Sequence, residues 1–184
     1  VIVSGVSNPS GAKHFLSIRA NGSLSVYDPF NGSWYESGYN VAGLSGWNSI
    51  AVVSDGAMSK FYVNGDSVGS TNYSILGDIN HIGNYIPTYY GGCQAAGKMD
   101  NIQIWNRALS QSEIQQYINC PPTGSEAGLV GYWDFEEGSG SVVNDLSGNG
   151  NNGTINGASW STDVPNQTCG GCTATDSVYV DLFQ

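Results

Sequence analysis

Short apolar runs alternating with polar turn clusters set the character of this chain. Phe15-Leu16-Ser17-Ile18-Arg19 is followed by Ala20-Asn21-Gly22-Ser23 and then by Leu24-Ser25-Val26-Tyr27. Runs of that length with period-two alternation predict β-strands. The Asn21-Gly22 pair predicts a hairpin between them, because both central residues of a type I′ turn need positive φ. Residues 47–56 and 58–69 predict two further hairpin arms joined at Asp55-Gly56, with Asn64-Gly65 turning into the next strand. Val1-Ile2-Val3 and the run from Val178 to Phe183 also read as strands, so both ends read as cuts through a longer polypeptide.

The period changes between residues 97 and 118. Asn101, Gln103 and Trp105 alternate with Ile102 and Ile104 as a strand requires, with Asp100 on the side of the isoleucines. A short helix at 111–118 then opens at Ser110. Ser110-Gln111-Ser112-Glu113 has the S-x-x-E spacing of a capping box, in which hydroxyl and carboxylate each satisfy the other residue's backbone N–H. One-sided strands of this length must bury their apolar faces against a second sheet, so the predicted fold is an all-β, antiparallel β-sandwich with one short helix.

Composition agrees with that class and narrows the partners. The 184 residues include 26 glycines, 11 tyrosines and 5 tryptophans, with 11% charged residues, which suits many turns and aromatic strands. Fifteen acidic against five basic side chains give a net charge of −10, which repels nucleic acid and anionic lipid. No apolar stretch approaches the length of a membrane span, so no membrane insertion is expected. Four cysteines are compatible with an oxidising compartment. Cys93 and Cys120 can pair. Cys169-Gly170-Gly171-Cys172 lacks both the second ligand pair of a zinc site and the βαβ context of a thioredoxin motif, leaving a bridge or free thiols in a linker.

The run Gly97-Lys98-Met99-Asp100 to Ile114, together with Tyr62-Val63-Asn64-Gly65 and Ile82-Gly83-Asn84, resembles the LamG-like jelly rolls of the concanavalin A-like lectin and glucanase superfamily. The resemblance covers roughly residues 1–118 as the latter part of such a jelly roll. Residues 128–140 and 145–158, beginning Gly128-Leu129-Val130-Gly131-Tyr132-Trp133, resemble the family's opening segment, placed after its end. Either residues 128–160 fold back to complete one sandwich over 1–160, or they begin a truncated second repeat. Folding back is the favoured alternative, since a free strand carrying Trp133 and Phe135 would invite aggregation. In both cases Tyr132–Phe135 is expected to pair antiparallel with Asn101–Trp105. Residues 161–184 read as a linker and a strand of a following region.

Three chemistries compete for a site. Glucanases of the superfamily carry alternating carboxylates on one strand, and this chain has no such string. Its nearest cluster, Asp134-Phe135-Glu136-Glu137, runs into Gly138-Ser139-Gly140 and reads as a solvated turn. His14 and His81 read as structural residues. The loop from Asp145 to Gly153 concentrates hard oxygen donors of the kind calcium prefers, without the spacing of an EF-hand, and reads either as a cation site or as a plain Asn/Gly turn. Because relatives hold a structural calcium in this region, the resemblance implies Asp100, Asp145, Asn149 and Asn151 as its ligands. The third chemistry is sugar recognition. Residues 28–40 and 84–92 read as aromatic loops, and flat rings stack on the apolar face of a pyranose, so Trp34, Tyr35, Tyr39, Tyr85, Tyr89 and Tyr90 are the candidate ligand-binding residues.

The resemblance thus implies a non-catalytic recognition module of an extracellular or cell-surface protein. Its expected partner is a glycan or another cell-surface ligand, besides other domains of its parent chain. A structural spacer in a repetitive surface protein, or a glycoside hydrolase of the same fold, are the alternatives.

Overall fold

The computed structural model describes residues 3–7, 11–83 and 97–167. These hold twelve strands and one helix: β1 (Val3–Ser7), β2 (Gly11–Ile18), β3 (Ser23–Asp28), β4 (Ser33–Asn40), β5 (Ile50–Ser54), β6 (Ser59–Val63), β7 (Asp66–Thr71), β8 (His81–Ile82), β9 (Ile102–Trp105), α1 (Gln111–Tyr117), β10 (Leu129–Trp133), β11 (Val142–Val143) and β12 (Gly153–Thr154). The fold is all-β and antiparallel with one short helix, as the strand pattern predicts and as the resemblance to the LamG-like jelly rolls implies. The expected strand at residues 178–183 lies outside the described residues.

The chain divides into two compact units, one drawn from Val1–Gly46, Ala51–Val63 and Ser67–Gly97, the other from Trp47–Ile50, Asn64–Asp66 and Lys98–Gln184. The first is dominated by a five-stranded sheet in the order β4-β3-β2-β1-β8, with the bulk of a second sheet ordered β5-β6-β7. Leu16, Leu24, Val26 and Phe61 have no exposed surface, and full burial of such a side chain stabilises by roughly 1.5–3 kcal/mol. Where β7 passes β4 there is no room for a side chain. A Cβ on Gly69 would lie 2.0 Å from the Ser37 carbonyl oxygen.

Two turns separate what glycine and asparagine do. Gly22 has φ +83 while Asn21 is not left-handed, the Gly22 N–H donates to the Arg19 carbonyl and the Arg19 N–H to that of Ser23. This is a three-residue loop, a type I turn followed by a left-handed glycine, rather than the expected type I′ turn. The type I′ chemistry appears at Asn64 (φ 51) and Gly65 (φ 82), between β6 and β7. The difference lies in the partners. The Asn64 side-chain oxygen accepts from the Ser49 N–H and its amide donates to Asn48, which holds the strained asparagine in place.

In the second unit β10 pairs antiparallel with β9, Tyr132 opposite Gln103 and Trp133 opposite Ile102. The partner strands are those expected from the sequence, but β10 runs from Leu129 to Trp133 and ends before Phe135, which is left-handed (φ 55), and the pairing belongs to both the fold-back and the repeat alternatives. β9 starts at Ile102 because Asn101 is left-handed (φ 51), so Asp100 lies before the pleat and not on the isoleucine face. The α1 capping box is complete: the Glu113 N–H donates to Ser110 Oγ and the Ser110 N–H to Glu113. Ile114 and Tyr117 are its buried face.

Candidate functional site

Residues 33–40, read from sequence as part of an aromatic loop, form β4 at one edge of the five-stranded sheet. The alternation that marks a strand is masked there by a bulge: Glu36 pairs with Ser25 and Asn40 with Ser23, so four residues of β4 oppose two of β3. The strand separates the candidate aromatics. Neighbouring residues point to opposite faces, which sends Trp34 to one side of the sheet and Tyr35 to the other.

Trp34 stands opposite Tyr27, and Tyr27 opposite His14. The three positions make a row across β2, β3 and β4, but their rings close into a triangle, with centroids 4.7 Å apart for Tyr27 and Trp34, 5.1 Å for His14 and Tyr27 and 5.2 Å for His14 and Trp34. The row lies on the face opposite Leu24 and Val26, away from the apolar core. Burial pushes the His14 imidazole down to about 4, so its ring is neutral at neutral pH. A second row runs beside the first on the same face: Ser17 opposite Ser25, and Ser25 opposite Glu36. Arg19 joins the two rows. It pairs with Glu36, and its guanidinium lies 5.0 Å from the Trp34 ring centroid.

Because Arg19 follows β2 and Glu36 lies on β4, their ion pair crosses the face of β3, over Ser25. Ser25 and Ser17 are 0% and 1% exposed, and neither hydroxyl has a hydrogen-bond partner. Buried hydroxyls are normally paired. One side of this face is therefore aromatic and half-buried, while the other is charged above and holds unpaired hydroxyls beneath.

Tyr35 takes the other face. Its ring stacks on Tyr73 at 4.2 Å and 9°, and its hydroxyl accepts from the Asn31 amide, so its geometry is that of a packing residue. Tyr39 sits in the bulge, where its N–H donates to Ser37 Oγ. Tyr85, Tyr89 and Tyr90 lie outside the described residues. Sequence reading missed His14, Arg19, Ser17, Ser25, Tyr27 and Glu36. The signal was present in the predicted hairpin around Asn21-Gly22, which brings residues 14–19 beside 23–28.

The proposed calcium ligands fall into two environments. Asp145 accepts from the N–H groups of Tyr132 and Ser147 through one oxygen and of Asn151 through the other. Despite partial burial, those hydrogen bonds hold its carboxyl below the usual range. Asn149 and Asn151 turn their amide N–H groups to the carbonyls of Leu129 and Val130. The loop is thus closed by its own hydrogen bonds, with one acceptor site of the Asp145 carboxylate left over. Asp100 shares no hydrogen bond with that loop. Burial, with Glu136 and Asp134 adding repulsion, pushes it up to about 6 against the Asn101 N–H it accepts. Among the described residues no three His, Cys, Asp or Glu side chains are grouped to hold a metal ion.

The carboxylates at 134 and 136 follow the end of β10, and the Glu136 N–H donates to Asp134, as in a turn. Cys120 is disulfide-bonded, and the other three cysteines lie outside the described residues. No helix among the described residues is long and apolar enough to cross a membrane.

Residues 1–115 match a family model described as the concanavalin A-like lectin/glucanases superfamily. A solved structure of a putative carbohydrate binding protein from Bacteroides ovatus ATCC 8483 superposes with a TM-score of 0.58 at 22% identity. The match covers 73% of this chain and 40% of that one, so this chain spans well under half of its length. No curated protein matches significantly.

Proposed function

Since this chain belongs to the concanavalin A-like lectin/glucanases superfamily, we propose that it is a non-catalytic carbohydrate-binding module of an exported or cell-surface protein. The observation that carries this reading is the aromatic cluster of His14, Tyr27 and Trp34 beside the Arg19–Glu36 pair. A pyranose has an apolar C–H face and an edge of hydroxyls, so it needs flat rings next to hydrogen-bonding groups, and this face supplies both. Similarity to a protein described as carbohydrate binding points the same way.

Glycosidases of the usual kind need two carboxyl groups flanking the bond they cleave. Among the described residues of β2, β3 and β4, the sugar-facing side carries Glu36 alone, and it is engaged by Arg19. Binding without cleavage is the reading that fits. Export is supported by the disulfide at Cys120, since such bonds persist in oxidising compartments.

A glycan array probed with the whole chain and with Trp34→Ala tests the proposal. Binding that Trp34→Ala abolishes supports it. A blank array with folded protein overturns it and leaves a spacer role, while release of reducing sugar from a bound polysaccharide overturns the non-catalytic part.

A further inference from the structure

We infer that the Arg19–Glu36 pair and the two buried serine hydroxyls beneath it form the hydroxyl-reading half of a subsite for an uncharged hexopyranose. This inference rests on the carbohydrate-binding reading above and names the class of sugar and the residues that select it.

Three observations lead there. Ser17 and Ser25 are paired across β2 and β3, fully buried, and without a hydrogen-bond partner. Such groups have lost water without gaining a replacement, so a polar ligand atom that reaches them recovers an interaction the free protein lacks. The ion pair that spans β3 at the level of Ser25 can move. The Arg19 and Glu36 side chains are 36% and 33% exposed, and an ion pair that exposed holds its geometry weakly. An incoming hydroxyl can take the guanidinium N–H groups as donors or the carboxylate as acceptor, part the two side chains, and enter above Ser25. Finally, the aromatic row lies one residue pair further along the same strands. Arg19 also lies over the Trp34 ring, so a sugar that displaces its guanidinium uncovers the indole and brings its hydroxyl edge beside Glu36.

The charge balance selects the sugar. Arg19 is neutralised by Glu36, and the chain carries a net charge of −10. A uronate carboxylate would meet Glu36 without a free guanidinium to offset it, whereas an uncharged ring uses both partners.

The test is calorimetric titration of the whole chain with oligosaccharides of glucose, mannose or galactose and, separately, with oligogalacturonate and oligomannuronate. Wild type, Ser25→Ala, Glu36→Gln and Trp34→Ala are compared, and each melting temperature is measured. The expected result is binding of at least one uncharged series, weakened roughly tenfold by Ser25→Ala and by Glu36→Gln. The Ser25→Ala melting temperature should not fall, because the hydroxyl removed was unpaired. Uncharged-sugar binding lost in Trp34→Ala but unchanged in Ser25→Ala and Glu36→Gln overturns the inference and leaves the carbohydrate reading standing. Preference for the uronates does the same. No binding of any saccharide by folded wild type overturns both.

Discussion

Gln115 donates its side-chain amide to the carbonyl oxygen of Gly65, 3.1 Å away, from the middle of α1. Gln111, one turn earlier, donates to the same oxygen at 3.0 Å. The turn carbonyl is thus held by two residues that helical periodicity places on one face. Gly65 is left-handed, and a Cβ there would lie 2.7 Å from Gln115 Cγ and 3.1 Å from Ile118 Cδ1. Gly65→Ala is therefore expected to cost more than about 2 kcal/mol, combining backbone strain with loss of the double hydrogen bond. Urea unfolding of the variant measures it, and an unchanged midpoint would show that the turn relaxes freely.

The capping box makes a smaller claim. Ser110→Ala removes the hydroxyl that accepts from the Glu113 N–H, and such caps are worth about 1 kcal/mol. The Glu113 carboxylate also bonds Arg107 at 2.7 Å, so part of the helix start survives the change. A loss of about 1 kcal/mol is expected in denaturant titration, and a loss several times larger would mean that Ser110 holds more than the helix end.

How much of this was legible in the sequence depended on whether the signal was local. Ser110 and Glu113 are three residues apart and their box was readable as written. Tyr62-Val63-Asn64-Gly65 was readable as a turn, but not its type I′ geometry, which Asn64 reaches through Ser49 and Asn48, more than a dozen residues earlier. β4 was read as loop because its bulge breaks the alternation and its strand is an edge, where polar residues are tolerated. Trp34 stands out by its chemistry alone. Its companions His14, Arg19 and Glu36 do not, since each is an unremarkable strand residue until register sets it opposite the next. The serines beneath were invisible for the same reason: nothing in a serine codon position announces burial without a partner.

The Asp145 loop gives a prediction about cations. Both oxygens of that carboxylate accept backbone N–H groups, and Asn149 and Asn151 brace β10 through their amides. The loop should hold without calcium, so EDTA is expected to leave the melting temperature within about 2 °C, a change that corresponds to no more than about 1 kcal/mol. A larger fall reversed by added calcium would support the cation site implied by the family resemblance. Asp145→Ala, by contrast, strands three N–H donors and should destabilise by at least about 2 kcal/mol with or without calcium.

The Arg19–Glu36 pair should matter little to stability. Both side chains are about a third exposed, and pairs so placed contribute between about 0 and 1 kcal/mol. A double-mutant cycle with Arg19→Ala and Glu36→Gln, read by urea unfolding at low and high salt, is expected to give a coupling below about 1 kcal/mol that shrinks with salt. A large, salt-insensitive coupling would make the pair a structural clamp over β3.

His14 supplies the pH dependence. Its imidazole titrates at about 4 in the folded protein, lowered from 6.5 chiefly by burial. Between those values the unfolded chain binds a proton that the folded chain does not, so acidification favours unfolding. The stability tied to neutral His14 is fully present above about pH 6.5 and is lost progressively as pH falls toward 4. Half-burial reduces the effect, which should be on the order of 2 kcal/mol over that window. His14→Phe keeps an aromatic ring between β2 and Tyr27 while removing the titrating group. Thermal unfolding of both proteins from pH 7.5 to pH 4 should show the wild type losing more stability than the variant, with the difference opening below about pH 6.5. Parallel curves would mean that His14 protonates in the folded state without cost, and that the row opens enough to hydrate it.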